Sequence, residues 1–234
     1  MTIAEKIEKL RQSIREIASQ VSRVPESIRF ILVTKTVPCE KILEAYQAGI
    51  HDFGENRMQE FLAKKEELPE DIHWHFIGRL QTNKVKFLLE SSKEEEKLPL
   101  VHSLDREELA KVLQIEAKRR QIPKVPCLIQ VNSSGEATQG GFDPGEVTKF
   151  VANLGKDSPL WVRGLMTIGP FTQERNRIRE AFRRVKKLGE ELQQKFPERD
   201  WGILSMGMSS DYDIAIEEGA NLLRIGSAVF GARR

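Results

Sequence analysis

Two groups of residues in this 234-residue chain have types and spacings that could do chemistry together. Lys35 closes the apolar run Phe30-Ile31-Leu32-Val33-Thr34, with Pro38 three residues on. An amine at the end of a buried run is either a solvated side chain whose stem lies on apolar surface, or a nucleophile at the mouth of a pocket. Far along the chain, Ser205-Met206-Gly207-Met208-Ser209-Ser210-Asp211 and Arg224-Ile225-Gly226-Ser227 mix hydroxyls with small residues. Small residues let backbone N–H groups approach an oxyanion, and hydroxyls complete the cradle. An amine opposite such a cradle suits a ligand that carries both a carbonyl and a phosphate. His73 and His75 alternate and so face one side, but no third ligand lies at metal-site spacing. Packing or stacking on a cofactor is the preferred reading for them. The segment from Gly135 to Gly141 could cradle an anion or simply turn the chain. Met206 and Met208 read as wall and packing residues.

Something must bring residues 35 and 227 together. Ile3, Ile7, Leu10, Ile14, Ile17 and Val21 recur every three or four positions, and Thr2-Ile3-Ala4-Glu5 reads as a capping box, so a helix is predicted over 3–22. Strand patterns then fall at 29–34, 50–54, 73–78, 100–103, 125–131, 162–167, 201–206 and 221–225. Helical patterns alternate with them at 38–48, 57–68, 82–89, from Asp105 as a cap to 120, at 144–153, along the stripe Ile178, Phe182, Val185, Leu188 and Leu192, and at 211–218. The charged stretch 91–97 reads as a surface loop. Eight strand-helix units without a change of composition predict one domain over 1–234, a parallel (β/α)8 TIM barrel with an extra N-terminal helix. An open doubly wound sheet is disfavoured because no Gly-rich turn follows the first strand. In a barrel, function gathers at the carboxyl ends of the strands. Lys35, Glu55, Asn56, His75, Gly78, Ser103, Asn132, Met166, Thr167 and the last two loops lie there.

Composition narrows the function. Lys and Arg total 37 against 35 acidic residues, a net charge of +2 that gives no case for nucleic acid or an anionic membrane. The basic clusters 118–120 and 183–187 fall on helical patterns and read as solvated faces. Two cysteines, Cys39 and Cys127, make no disulfide framework and suit a reducing cytosol. No apolar run reaches membrane-spanning length. The expected setting is the cytoplasm, and the expected state a monomer.

Five collinear motifs carry a resemblance. Phe30 to Lys35 with Pro38, then Phe53-Gly54-Glu55-Asn56, then His75-Phe76-Ile77-Gly78 with Leu80-Gln81-Thr82-Asn83-Lys84, then Ser205 to Ser209 with Asp211, and Arg224-Ile225-Gly226-Ser227 with Phe230-Gly231, resemble the pyridoxal phosphate homeostasis protein family over nearly the whole chain. The resemblance implies a fold-type III pyridoxal phosphate (PLP) protein, a barrel like the N-terminal domain of alanine racemase without that enzyme's C-terminal β-domain. It implies that Lys35 carries PLP as a Schiff base, that Asn56 lies beside the ring, and that Ser209, Gly226 and Ser227 hold the phosphate. It further implies that Arg224 faces the pyridine nitrogen. PLP-dependent apoenzymes are the implied recipients. Where the family usually has a lysine after the fifth strand, this chain has Gln139, so a contact from that lysine is not carried over.

These assignments have chemical consequences. Partial burial favours the neutral amine that Lys35 needs in order to attack an aldehyde. A guanidinium only donates, so Arg224 would keep the ring nitrogen unprotonated and the ring a poor electron sink. Tyr46 and Tyr212 are the only tyrosines, and neither lies in a C-terminal β-domain that could present an acid to the opposite cofactor face. The expected function is holding PLP in vitamin B6 and amino-acid homeostasis without a dedicated reaction. A weak amino-acid racemase is the alternative. A third reading makes Lys35 the Schiff-base lysine of an aldolase-like enzyme acting on a sugar phosphate.

Overall fold

The Thr2 hydroxyl accepts from the Glu5 N–H at 3.2 Å, and the Glu5 carboxylate accepts from the Thr2 N–H at 2.8 Å. This capping box opens α1 (Ile3–Gln20), whose buried stripe is Ile3, Ile7, Leu10, Ile14 and Ala18. The computed structural model describes every residue except Lys93, Ala137, Lys156 and 232–234, and all but the side chain of Glu95. After α1, strands and helices alternate as β1 (Arg29–Val33), α2 (Cys39–Gln47), β2 (Asp52–Glu55), α3 (Met58–Glu67), β3 (His73–Phe76) and α4 (Val85–Glu90). There follow β4 (Leu100–Leu104), α5 (Glu107–Arg119), β5 (Val125–Gln130), α6 (Pro144–Asn153), β6 (Leu160–Met166), α7 (Arg175–Lys195), β7 (Ile203–Met208), α8 (Tyr212–Glu217), β8 (Leu222–Ile225) and α9 (Ser227–Phe230).

The strands close in chain order, every pair parallel, with β8 meeting β1 at Phe30↔Leu223. The expected eight-stranded barrel is the observed fold. Helix α1 finds the partner its stripe requires by packing against α2, α8 and α9. Between wall and helices lies the larger core, with Ile42, Phe53, Phe61, Leu88, Leu109 and Phe182 fully buried. Each such side chain contributes about 1.5–3 kcal/mol of burial. A second, smaller cluster fills part of the barrel interior: Ile31, Leu100, Leu128, Met166, Ile203 and Leu222. Gly54 makes room there, since a Cβ on it would stand 2.9 Å from Ile31 Cδ1. The rest of the interior is polar, with His75, His102, Ser205 and Arg224 all buried. Among the described residues no helix is long and apolar enough to cross a membrane.

Several local expectations shift. Asp105 does not cap α5: Arg106 occupies the cap position without a side-chain cap, and the buried Asp105 carboxylate pairs with Arg79 at 3.1 Å and with Arg106. Two guanidinium groups outcompete the helix N–H groups for it. The segment 82–84 is a 3-10 turn ahead of α4. β7 starts later than expected, because the Trp201 indole N–H is taken by Phe196 O and the Asn221 amide clamps Gly202 O and Leu204 N. α9 is a single turn that the small residues after β8 did not announce.

Candidate functional site

A cavity of about 560 Å³ opens at the carboxyl ends of the strands. Lys35, Asn56, Ser209, Arg224, Gly226 and Ser227 all stand on its wall, together with Gly78, Ile168 and Met208. The six residues singled out from sequence are thus brought together from four strand ends.

Lys35 follows β1, and the backbone on both sides of it is tied down. Thr34 N–H continues the sheet to Gly54 O at 2.9 Å, and the Thr34 hydroxyl donates to Glu55 Oε1 at 2.8 Å. Lys64 Nζ donates to Thr34 O at 2.8 Å and pairs with Glu55, which is fully buried. Thr36 takes a left-handed backbone with φ of 62°, and its N–H donates to Glu60 Oε2 at 2.7 Å. Burial pulls the Glu60 carboxyl upward, but the Thr36 N–H and the Lys64 ammonium outweigh it and hold the group below its ordinary value. Glu55 therefore faces α3, away from the cavity, whereas Asn56 faces into it. The Glu55 carboxylate also accepts from the Asn56 N–H at 3.1 Å. Lys64 and Glu60 were absent from the sequence reading, although their i,i+4 spacing behind a strand-end glutamate is a usable signal.

Asn56 is positioned from the other side by Gly78, where a Cβ would stand 2.1 Å from Asn56 O. The Asn56 Oδ1 is buried and has no hydrogen-bond partner. An orphaned acceptor at the wall of a cavity is costly unless a ligand or water meets it.

The rim formed after β7 and β8 uses backbone geometry. Gly207 has φ of 93°, and a Cβ there would stand 2.5 Å from Ala215 Cβ. The Asp211 carboxylate accepts from Met208 N–H at 2.6 Å, fastening the loop that carries Ser209 and Ser210. Burial raises the Asp211 carboxyl above its ordinary value, with the Met208 N–H and Arg224 opposing. Ser209 Oγ accepts from Gly226 N–H at 3.2 Å and Ala228 N–H at 3.3 Å, stitching this loop to the start of α9. A hydroxyl that accepts twice keeps its proton for a third partner. Ser227 is exposed.

Arg224 stands inside the barrel beneath the cavity, 5% exposed. Its Nη1 donates to Ser205 Oγ at 2.8 Å and its Nη2 to Thr167 O at 2.7 Å. Burial pulls its pKa down to about 10, with the Asp211 carboxylate opposing. No carboxylate touches it directly among the described residues.

Other candidates lie elsewhere. His75 is not on the cavity wall; it sits deeper in the barrel, its Nδ1 3.0 Å from His102 Nε2 and its Nε2 3.1 Å from Asp52 Oδ1. His102, unnoticed in the sequence, continues to Ser205 Oγ at 3.0 Å. Gln139 turns away from the cavity and donates to Glu136 at 2.9 Å and Gly169 O at 3.2 Å. With Asn132 donating to the carbonyls of Glu136 and Gln139, the 135–141 segment is a self-bonded turn, within which Ala137 lies outside the described residues. Tyr46 donates to Asp71 and Tyr212 pairs with Ser13, so neither tyrosine reaches the cavity.

Residues 6–234 match the family described as alanine racemase, N-terminal domain. A pyridoxal phosphate homeostasis protein of Aquifex aeolicus is 40% identical over 239 aligned residues, spanning 100% of both chains. One from Pseudomonas aeruginosa is 40% identical over 233 residues, covering 99% of this chain and 96% of its own. The solved structure of PipY from Synechococcus elongatus with PLP bound is similar at a TM-score of 0.81 and 34% identity, covering 98% of this chain and 100% of that one. An amine and a hydroxyl-lined rim sharing one cavity of a racemase-type barrel, in a chain alike from end to end to these relatives, place the protein in a family: it belongs to the pyridoxal phosphate homeostasis proteins, within the alanine racemase N-terminal domain family.

Proposed function

We propose that the chain binds PLP in the carboxyl-end cavity and holds it covalently through Lys35, as a cofactor reservoir without a dedicated reaction. The observation that carries this reading is that a lysine amine, a hydroxyl-bearing rim and a buried guanidinium all line one cavity. The residues fit the group on an independent observation as well, because the orphaned Asn56 Oδ1 calls for a ligand partner. In this reading Lys35 attaches the aldehyde, Ser209 and Ser227 donate hydroxyl protons to the phosphate, and Gly226 lets the backbone come close. Arg224 donates toward the ring nitrogen, and Asn56 lies beside the ring. Bound PLP would supply an electron-withdrawing ring; a guanidinium facing its nitrogen weakens that property, because it donates and never accepts. The two tyrosines are both engaged elsewhere, which removes the usual phenolic acid from the cavity.

The chain, 1–234, acts here as one cofactor domain, and its two unpaired thiols agree with a reducing cytoplasm. PLP-dependent apoenzymes are the proposed recipients. The test is a visible absorption spectrum of protein reconstituted with PLP, in parent and Lys35→Ala. A band that disappears in the variant supports the reading, and an unchanged band moves the attachment to another amine. Incubation of the parent with L-amino acids followed by chiral analysis addresses catalysis, since racemic product at a working enzyme's rate would overturn the reservoir reading.

A further inference from the structure

Four hydrogen bonds run through the barrel from one end to the other: Asp52 Oδ1 to His75 Nε2 at 3.1 Å, His75 Nδ1 to His102 Nε2 at 3.0 Å, His102 Nδ1 to Ser205 Oγ at 3.0 Å, and Ser205 Oγ to Arg224 Nη1 at 2.8 Å. Arg224 belongs to the cavity just described. Asp52 begins β2 and opens, with Arg29, His73 and Arg163, onto a separate cavity of about 820 Å³ at the amino ends of the strands. The interior of such a barrel is ordinarily filled by branched aliphatic side chains. A polar line across it needs a reason.

Donor and acceptor counting gives the line a direction. A carboxylate only accepts, so Asp52 requires a proton on His75 Nε2. A neutral imidazole then presents His75 Nδ1 as an acceptor, and His102 must donate from Nε2. His102 Nδ1 becomes an acceptor in turn and takes the Ser205 hydroxyl proton. Ser205 Oγ is left with its lone pairs toward Arg224, which can only donate. Every group is satisfied. Both histidines are neutral in this arrangement: burial depresses each, and for His102 the neighbouring His75 and Arg224 depress it further. The reverse direction fails at Ser205, whose oxygen would accept from both His102 and Arg224 while its own proton faces no acceptor. A buried donor without a partner is strongly disfavoured.

We infer that Asp52 is a positioning residue for Arg224: its carboxylate, at the far end of the barrel from the cofactor cavity, fixes the hydrogen-bond direction through His75, His102 and Ser205 that aims the guanidinium. The inference rests on the preceding reading only in giving Arg224 the ring nitrogen as its target. Asn at position 52 could donate as well as accept, so it would no longer impose a direction on the line.

The test has two arms. In ligand-free protein, side-chain 15N NMR should find both His75 and His102 as single Nε2–H tautomers and the Arg224 Nη protons resolved. Asp52→Asn should mix the tautomers and average the Arg224 signals. In the second arm, PLP and its carbocyclic analogue with C–H in place of the ring nitrogen are compared as ligands. Asp52→Asn should weaken PLP about five- to tenfold and leave the analogue unchanged, because only the former has the acceptor that Arg224 addresses. Equal loss for both ligands, or no loss for either, would overturn the inference. An Nδ1–H tautomer at His75 or His102 in the parent would do so too, which keeps it falsifiable even if Asp52→Asn does not fold. Failure of the parent to bind PLP at all would refute the preceding reading, while the ligand-free signals would still decide whether Asp52 orders Arg224.

Discussion

The two rims of the carboxyl-end cavity are built by different physics. The lysine rim is held from behind by buried charge: Glu55, Lys64 and Glu60 grip the backbone at Thr34, Thr36 and Asn56. The rim that carries Ser209 is held mostly by a glycine and neutral hydrogen bonds: Gly207 admits the chain past Ala215, and the Ser209 hydroxyl stitches two loops. The difference follows from what each rim must present. An amine that reacts in its neutral form needs a fixed backbone and no carboxylate beside it to hold the ammonium, so its supporting charges are turned to the helix side. A phosphate bound at the other rim, as proposed, would need N–H and O–H donors at close range, which small residues supply.

The comparison predicts that charge changes break one rim and backbone changes the other. Lys64→Ala should have the largest effect, because it leaves Glu55 buried without its counter-ion; a loss of about 3–5 kcal/mol is expected by denaturant titration. Combining Lys64→Met with Glu55→Gln should recover much of that loss. A double variant as unstable as the single one would show that the pair is not what holds the rim.

Gly207→Ala comes next. The left-handed backbone costs about 1–2 kcal/mol for a residue with a Cβ, and the clash with Ala215 adds about 1–3 kcal/mol of overpacking. Its signature should be local: weaker PLP than unphosphorylated pyridoxal binding, measured by titration at matched protein stability. Equal weakening of both ligands would place the phosphate away from this rim.

Ser209→Ala removes a shared acceptor from two N–H groups and should lower stability by about 0.5–1.5 kcal/mol. A thermal unfolding scan checks this, and a Ser209 variant as stable as its parent would mean that water replaces the hydroxyl at no cost.

The smallest expected effect is a difference of sign with pH. Glu60 is held below its ordinary value of 4.5, so its contribution is present above that pH and lost as pH falls through its folded value. Asp211 is raised above its ordinary 3.8, so its contribution is present below that value and lost as pH rises through its folded one. Stability measured between pH 3 and 7 should therefore depend less steeply on acid in Glu60→Gln, whereas Asp211→Asn should gain relative to the parent toward pH 7. Parallel curves for both variants would erase the distinction between the rims.

Much of this was legible in the chain itself. The alternation of short apolar runs with amphipathic stretches determined eight strand-helix units, because periods of 2 and 3.6 are local properties. A lysine closing the first run, and hydroxyls with glycines closing the last two, marked Lys35, Ser209, Ser210, Gly226 and Ser227 by residue type and strand-end position, and the five-motif resemblance gave Asn56 and Arg224 their roles. What only the tertiary structure decided is which way each neighbour turns. Glu55 and Asn56 are adjacent, yet one feeds a buried ion pair behind the wall and the other faces the cavity, as strand alternation requires once the register is set. His102 and Ser205 stand 103 positions apart and meet only because the barrel closes. No local period reports such a contact, since it depends on the shear and closure of the whole sheet.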